Sequence, residues 1–338
     1  APEREAQGTA RANRANVHRL RGDLAATATD LAAARELLGF TQPRTATEAL
    51  VTSLEAELAR TRGDLGEAVR LAEITLAARE RIQPDTSLEA QAASDLATLR
   101  AAQGRASDAE ALFRRSLRAL ERQQQRLGGG DRGLVAFRGK YAGIYRAYQE
   151  FLLRRGRTDA AFELYERSRA QALLALLQER DLEFGASDLP PELGQRRRAV
   201  ALAIERAYLA LAKLPPDADA ERDQQRLALE TLHAERELVD RRIQAASPRL
   251  AAIEAPPALS VADIRRALAP GTLLLAFGLG PESSTLFALS ADGPLSAHPI
   301  AAGAEAIAAD VARWLELTTT TSLGRAELRA IETRLSGL

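Results

Sequence analysis

Four glycines constrain this chain more than any other feature. Gly22-Asp23-Leu24 returns as Gly63-Asp64-Leu65, then as Gly104-Arg105-Ala106 and Gly156-Arg157-Thr158. The first three glycines are 41 residues apart and the fourth follows after 52. Five positions beyond each stands a small residue (Thr27, Ala68, Ala109, Ala161), and four further on come Leu31, Ala72, Phe113 and Tyr165. On both sides of each glycine, apolar residues recur at three and four spacing, the mark of an amphipathic helix. A helix hairpin needs a tight turn, which glycine makes without Cβ strain. A small residue early in the second helix lets the two axes approach, and the larger one a turn later fills the space toward the next hairpin. One hairpin cannot bury its whole apolar face, so the pattern predicts hairpins stacked in a row and a mainly α fold.

Composition agrees with helices and excludes several functions. Of 338 residues 46% are hydrophobic and only 4% aromatic, and Ala, Leu, Arg and Glu, the commonest types, are strong helix formers. Lysine occurs only at Lys140 and Lys213, which reflects coding bias, and the formal net charge is zero. Non-specific attraction to nucleic acid or to an anionic membrane therefore has no electrostatic basis. With no cysteine, disulfides, thiolate metal sites and a cysteine nucleophile are excluded within these residues. No apolar run approaches the ~20 residues needed to cross a bilayer. No signal peptide is present, and the expected location is cytoplasmic; because the first residue is not the initiator Met, an exported form stays open.

The repeat array is expected over residues 1–180. Gly128-Gly129-Gly130-Asp131 reads as a loop and not as a phosphate cradle, since Gly139-Lys140 runs into Tyr141. Gly185 and Pro190-Pro191 end the array. A linker of two long helices, near 191–213 and 218–246, is expected over 181–255, turned at Pro215-Pro216 and closed by Pro248. Its charge density predicts a solvated antiparallel pair packed along one apolar stripe. From 256 to 338 the composition shifts to α/β. Ser260 with Asp263 opens a short helix through Leu268, and Thr272–Phe277 is an uninterrupted apolar run that suits a strand buried on both faces. Thr285–Leu289 and Leu295–Ile300 are further strands, followed by helices near 302–317 and 324–335. Three strands cover two faces poorly, so the domain is expected to be unfinished.

Leu96-Ala97, Gly104, Ala109 and Phe113, and then Tyr148, Gly156, Ala161 and Tyr165, resemble the tetratricopeptide consensus. The period is longer than the usual ~34 residues, as in kinesin-light-chain-like variants. Tyr165-Glu-Arg-Ser-Arg-Ala-Gln-Ala-Leu-Leu-Ala-Leu-Leu177, the long helix pair, and Leu268–Phe277 followed by Leu286–Gly293 resemble, in that order, the TPR–CHAT proteins, bacterial relatives of caspases and separase. The resemblance implies a tetratricopeptide-like helical solenoid plus a long helix pair, followed by the start of a caspase-like α/β domain. It also implies a cysteine peptidase whose His–Cys dyad sits on later strands, supplied by the remaining part of the CHAT domain. Gasdermin precursors and CRISPR-associated effectors are among the family's partners.

No residue of this chain is assigned a catalytic role, and no cofactor or metal is expected. His298, on the third strand, has no thiol beside it, and His233-Ala-Glu235 lacks the second histidine of a zincin and reads as surface charge. Counting back from each turn glycine places Asn16, Arg19, Glu57, Arg60, Thr98, Arg146 and Glu150 on the concave wall. Arg–carboxylate and amide contacts there would hold a protein or peptide ligand, unless these side chains form ordinary solvated ion pairs. Two functions follow as expectations: a regulatory arm whose partner controls proteolysis, or a non-catalytic scaffold in which the α/β segment caps the array.

Overall fold

A computed structural model describes residues 2–127, 133–178, 190–247 and 260–319, together with 329 and 333. The chain is mainly helical with one small three-stranded sheet. The glycine loop 128–131, the array and linker boundaries at 180 and 255, and the helix expected near 324–335 lie outside the described residues or largely so. Two compact units form, one joining residues 1–148 with 172–256 and the other joining 149–171 with 257–338.

The first unit begins with α1 (Pro2–Leu20), α2 (Leu24–Leu38), α3 (Ala46–Thr61), α4 (Leu65–Ile82), α5 (Ser87–Ala102) and α6 (Ala106–Leu127). Then come α7 (Gly133–Arg154) and α8 (Thr158–Gln178), which pass into the second unit. The four turn glycines all hold positive φ, from +67° at Gly156 to +81° at Gly63. At Gly104 the helix closes as a Schellman turn, with the Arg105 N–H donating to Arg100 O at 2.9 Å. Aspartate or threonine starts most of these helices: Asp23, Asp64 and Thr86 each accept an N–H three residues on, and Thr45 forms a capping box with Glu48. Helices pair within hairpins, and α2 also packs on α3 and α4 on α5. Thr27, Ala68, Ala109 and Ala161, the small residues after each turn, are completely buried. Leu31 and Ala34 meet Val51, Leu54 and Leu58 between the first two hairpins; Ala68, Leu71 and Leu76 meet Ala93, Leu96 and Leu99 between the next two.

The long pair is α9 (Pro191–Lys213) and α10 (Asp219–Ala246). Val200, Ile204, Ala207 and Leu211 form the stripe against Leu229, while Leu202, Leu209 and Leu227 face solvent. Arg222 holds the proline turn, donating Nε to Pro215 O at 3.1 Å and Nη2 to Leu214 O at 2.5 Å. The pair is fastened to α4 and to the α2–α3 loop through Arg81, which donates to Asp219 Oδ1 at 2.9 Å, Pro216 O at 3.1 Å and Pro43 O at 3.1 Å.

In the second unit Ser260 and Asp263 form a capping box on α11 (Val261–Ala267). The strands β1 (Leu273–Gly278), β2 (Ser284–Ser290) and β3 (Ser296–Ile300) form an antiparallel meander, followed by α12 (Ala304–Thr319). Ala276 pairs with Phe287, and Phe277 with Leu286. Phe287 and Leu289 are buried; Phe287 lies 5.2 Å from the Phe162 ring and 5.6 Å from the Tyr165 ring, and the Tyr165 hydroxyl donates to Phe277 O at 2.9 Å. The opposite face corrects the expectation of a strand buried on both sides. Leu273, Leu275 and Phe277 are 57%, 47% and 50% exposed, because the α8 aromatics lie on the Phe287 side. Among the described residues, no helix is long and apolar enough to cross a membrane.

Candidate functional site

A groove of about 530 Å³ opens between α1, α3, α4 and α5. Its apolar floor includes Leu54, Ala72, Ala92 and Leu99, all buried. Its walls carry Asn16, Arg19, Glu57, Arg60 and Thr98, five of the seven side chains reached by counting back from the turn glycines. They meet because positions three and six before each glycine repeat on the same helix face in successive hairpins. Arg146 and Glu150, on α7, do not line this groove; Arg146 is half-buried, and Glu150 is exposed and 3.9 Å from Arg154. The groove is bounded by the first three hairpins, and α7 belongs to the fourth.

Local pairing organises the walls. Arg60 grips Glu57 through two bonds of 2.8 and 2.6 Å, and Arg19 donates to Asn16 Oδ1 at 3.1 and 3.2 Å. For Glu57 and Arg60 this is the ordinary ion pair anticipated as the plain alternative. Asp95 accepts from Gln91 Nε2 at 2.8 Å. Asp95 is open to the groove, yet protein atoms surround it across the concavity. That crowding, reinforced by the nearby Glu57 carboxylate, pushes its carboxyl up to about 6, against the pull of Gln91, Arg60 and Arg19.

Arg79, Gln91 and Asp95 line the groove and escaped the glycine count. Asp95 lies one step of three residues before Thr98, so extending the same face would have reached it. Arg79 continues the α4 stripe Ala72, Thr75 from the second helix of a hairpin, where the count did not look. Arg79 is only 5% exposed, and burial lowers its guanidinium to about 10. Its side-chain bond runs from Nη1 to Gln83 Oε1 at 2.8 Å.

A second cluster sits where the long pair meets the α4–α5 turn. Asp85 holds φ +53°, a conformation that aspartate tolerates better than most side chains. Its Oδ2 accepts from the Tyr208 hydroxyl at 2.7 Å and lies 3.4 Å from His233 Nε2, while Arg122 Nη1 donates to Oδ1 at 3.1 Å. Burial opposes ionisation of Asp85, but His233, Arg122 and Tyr208 outweigh it and hold the carboxyl down to about 2. His233 is 4% exposed, which corrects its reading as surface charge: it faces the α4–α5 turn instead of water. The small cavity beside it, about 80 Å³, is walled by paired charges, with Arg115 bridging Glu80 at 2.7 Å and Glu89 at 3.0 Å. This cluster clasps two elements together. His298 is exposed on β3, 2.9 Å from Ser296 Oγ.

No family model matches this chain, and no curated protein matches it.

Proposed function

We propose that this chain is the partner-binding arm of a TPR–CHAT caspase-like cysteine peptidase. In this reading a tetratricopeptide-type helical solenoid takes a protein segment in its groove and leads into the opening strands of the peptidase domain. The observation that carries the reading is the convergence of Asn16, Arg19, Glu57, Arg60 and Thr98 on one cavity. Residues picked by repeat position alone share a surface when the repeats present equivalent faces side by side, as a peptide-binding array does. A cavity of this size also falls within the roughly 300–1,000 Å³ range of ligand sites. Support for the peptidase half is the open apolar face of Leu273, Leu275 and Phe277, which a complete α/β layer would cover. Docking of the partner would then control a His–Cys dyad carried on further strands, with no catalytic role for the residues described above.

The scaffold reading draws on a different observation. Phe287 closes on Phe162 and Tyr165, so the meander also serves as a cap for α8.

Two measurements test the proposal. A photo-crosslinking amino acid at Thr98, in the groove, should give one discrete protein adduct in the producing cell, and the same group at exposed Glu205 on α9 should give none. Equal labelling from both positions, or from neither, removes the binding reading. For the peptidase half, the product of the reading frame extended past Leu338 should cleave protein in a thiol-dependent way. An extension without a His–Cys pair leaves the scaffold.

A further inference from the structure

Arg79 is a lining residue whose chemistry the groove itself leaves incomplete. It lies on α4 among Ala72 and Thr75, is nineteen-twentieths buried, and has no carboxylate within salt-bridge distance among the described residues. Arg19 and Arg60 differ, since they are more exposed and are bonded to Asn16 and Glu57. Nη1 of Arg79 is occupied by Gln83, while Nε and Nη2, the edge that grips a carboxylate through two parallel bonds, donate to no described residue. Neither nitrogen is among the fully enclosed atoms that lack a partner, so in the free protein this edge is open to water and available to an anion.

The remaining wall charges narrow the class of anion. Glu57 is satisfied by Arg60 and Asp95 accepts from Gln91, and among the described residues neither carboxylate is within salt-bridge distance of Arg79. No coulombic partner of Arg79 is resolved either, and burial alone accounts for its lowered pKa. The vacancy in charge therefore belongs to the occupant. We propose that the groove takes an extended segment of a partner protein through an acidic side chain, Asp or Glu, that pairs with the Nε–Nη2 edge of Arg79. This deepens the partner-binding reading and rests on it. The segment's apolar neighbours would lie on the Leu54–Ala72–Leu99 floor, and Gln91 and Thr98 would serve its backbone.

The test selects a random dodecamer library, displayed as internal fusions without a free chain end, against the full 338-residue chain. The expected result is enrichment of peptides with one fixed acidic position. Selection against Arg79→Gln should lose that position, and selection against Arg79→Lys, which keeps the charge without the two-bond edge, should retain it more weakly. For the best synthetic peptide, Glu→Gln should cost about tenfold in affinity on the natural chain and less than twofold on the Arg79→Gln chain. Far-ultraviolet circular dichroism confirms that the variants retain their helices. Enriched peptides without an acidic position, whose binding is abolished by Thr98→Trp, overturn the inference and leave the groove reading standing. No enrichment, or enrichment insensitive to Thr98→Trp, overturns both.

Discussion

Arg79 and Asp85 show how one chain can place charge for opposite ends. Arg79 is buried with an amide partner and no carboxylate, so removing its charge should stabilise the free protein. Arg79→Met should raise the unfolding free energy by about 1 kcal/mol, read as a higher urea midpoint at an unchanged slope; a lower midpoint would mean that the guanidinium already has what it needs. Asp85 is the reverse case. Its folded carboxyl is held at about 2, below its ordinary 3.8, so it contributes stability fully above the unfolded value and loses it as pH falls through the folded one. Asp85→Asn keeps the side chain best suited to φ +53° and should cost roughly 2 kcal/mol at pH 7. The gap between the natural chain and the variant should close between pH 4 and 2, as read by urea titrations across that range. Sequence reasoning reached one of the two clusters. The groove residues carried a positional signal, three and six before each glycine. The clasp had none, because Asp85, Tyr208 and His233 are joined across 123 and 25 positions by contacts that no periodicity encodes.

Helix boundaries were the most legible elements, because the residues that start and stop them act locally. The turn glycines, the Ser260–Asp263 capping box and the proline turn at 215–216 all lie where their chemistry requires. A paired substitution checks the glycine argument. Gly104→Ala must hold φ +77° with a Cβ and should lose about 1 kcal/mol. Gly66→Ala, inside α4 with its nearest neighbour for a Cβ at an ordinary 3.7 Å, should gain about as much. Urea midpoints moving together for the two variants would contradict the assignment. Strand burial was less legible. The run from Leu273 to Phe277 is apolar on both sides, and an apolar run specifies that a strand prefers cover without saying whether cover is present. Residue register then decides it: Leu274 and Ala276 fall on the Phe287 side, and Leu273, Leu275 and Phe277 on the open one.

For the whole molecule, composition divides the chain in order along its length, whereas its compact units interleave. Residues 149–171 belong with 257–338 because Phe162, Glu163 and Tyr165 serve the meander and α11; the Val261 N–H donates to Glu163 Oε1 at 3.2 Å. Such cross-sequence bonds are invisible to a linear reading. A truncation ending at residue 180 should therefore expose the α8 aromatics, and amides 158–171 should exchange at least tenfold faster than in the full chain while those of α3 to α5 keep their protection. Unchanged exchange at 158–171 would show that the meander does not hold α8. The clasp on the long pair has a mechanical side. Helix α10 has 28 residues, ~42 Å at 1.5 Å each, and its fastenings to the α4–α5 region run from Asp219 at its start to His233 near its middle. Beyond His233 the helix is held by α9, where Leu193 packs on Val239 and Ile243 and Arg196 pairs with Glu235, so the pair extends as one lever from the turn between α4 and α5, the same two helices that carry Arg79 and Asp95. A ~5° tilt about that pivot sweeps the tip at Ala246 through ~2 Å, so a wedge driven between those helices becomes a stroke at the far end.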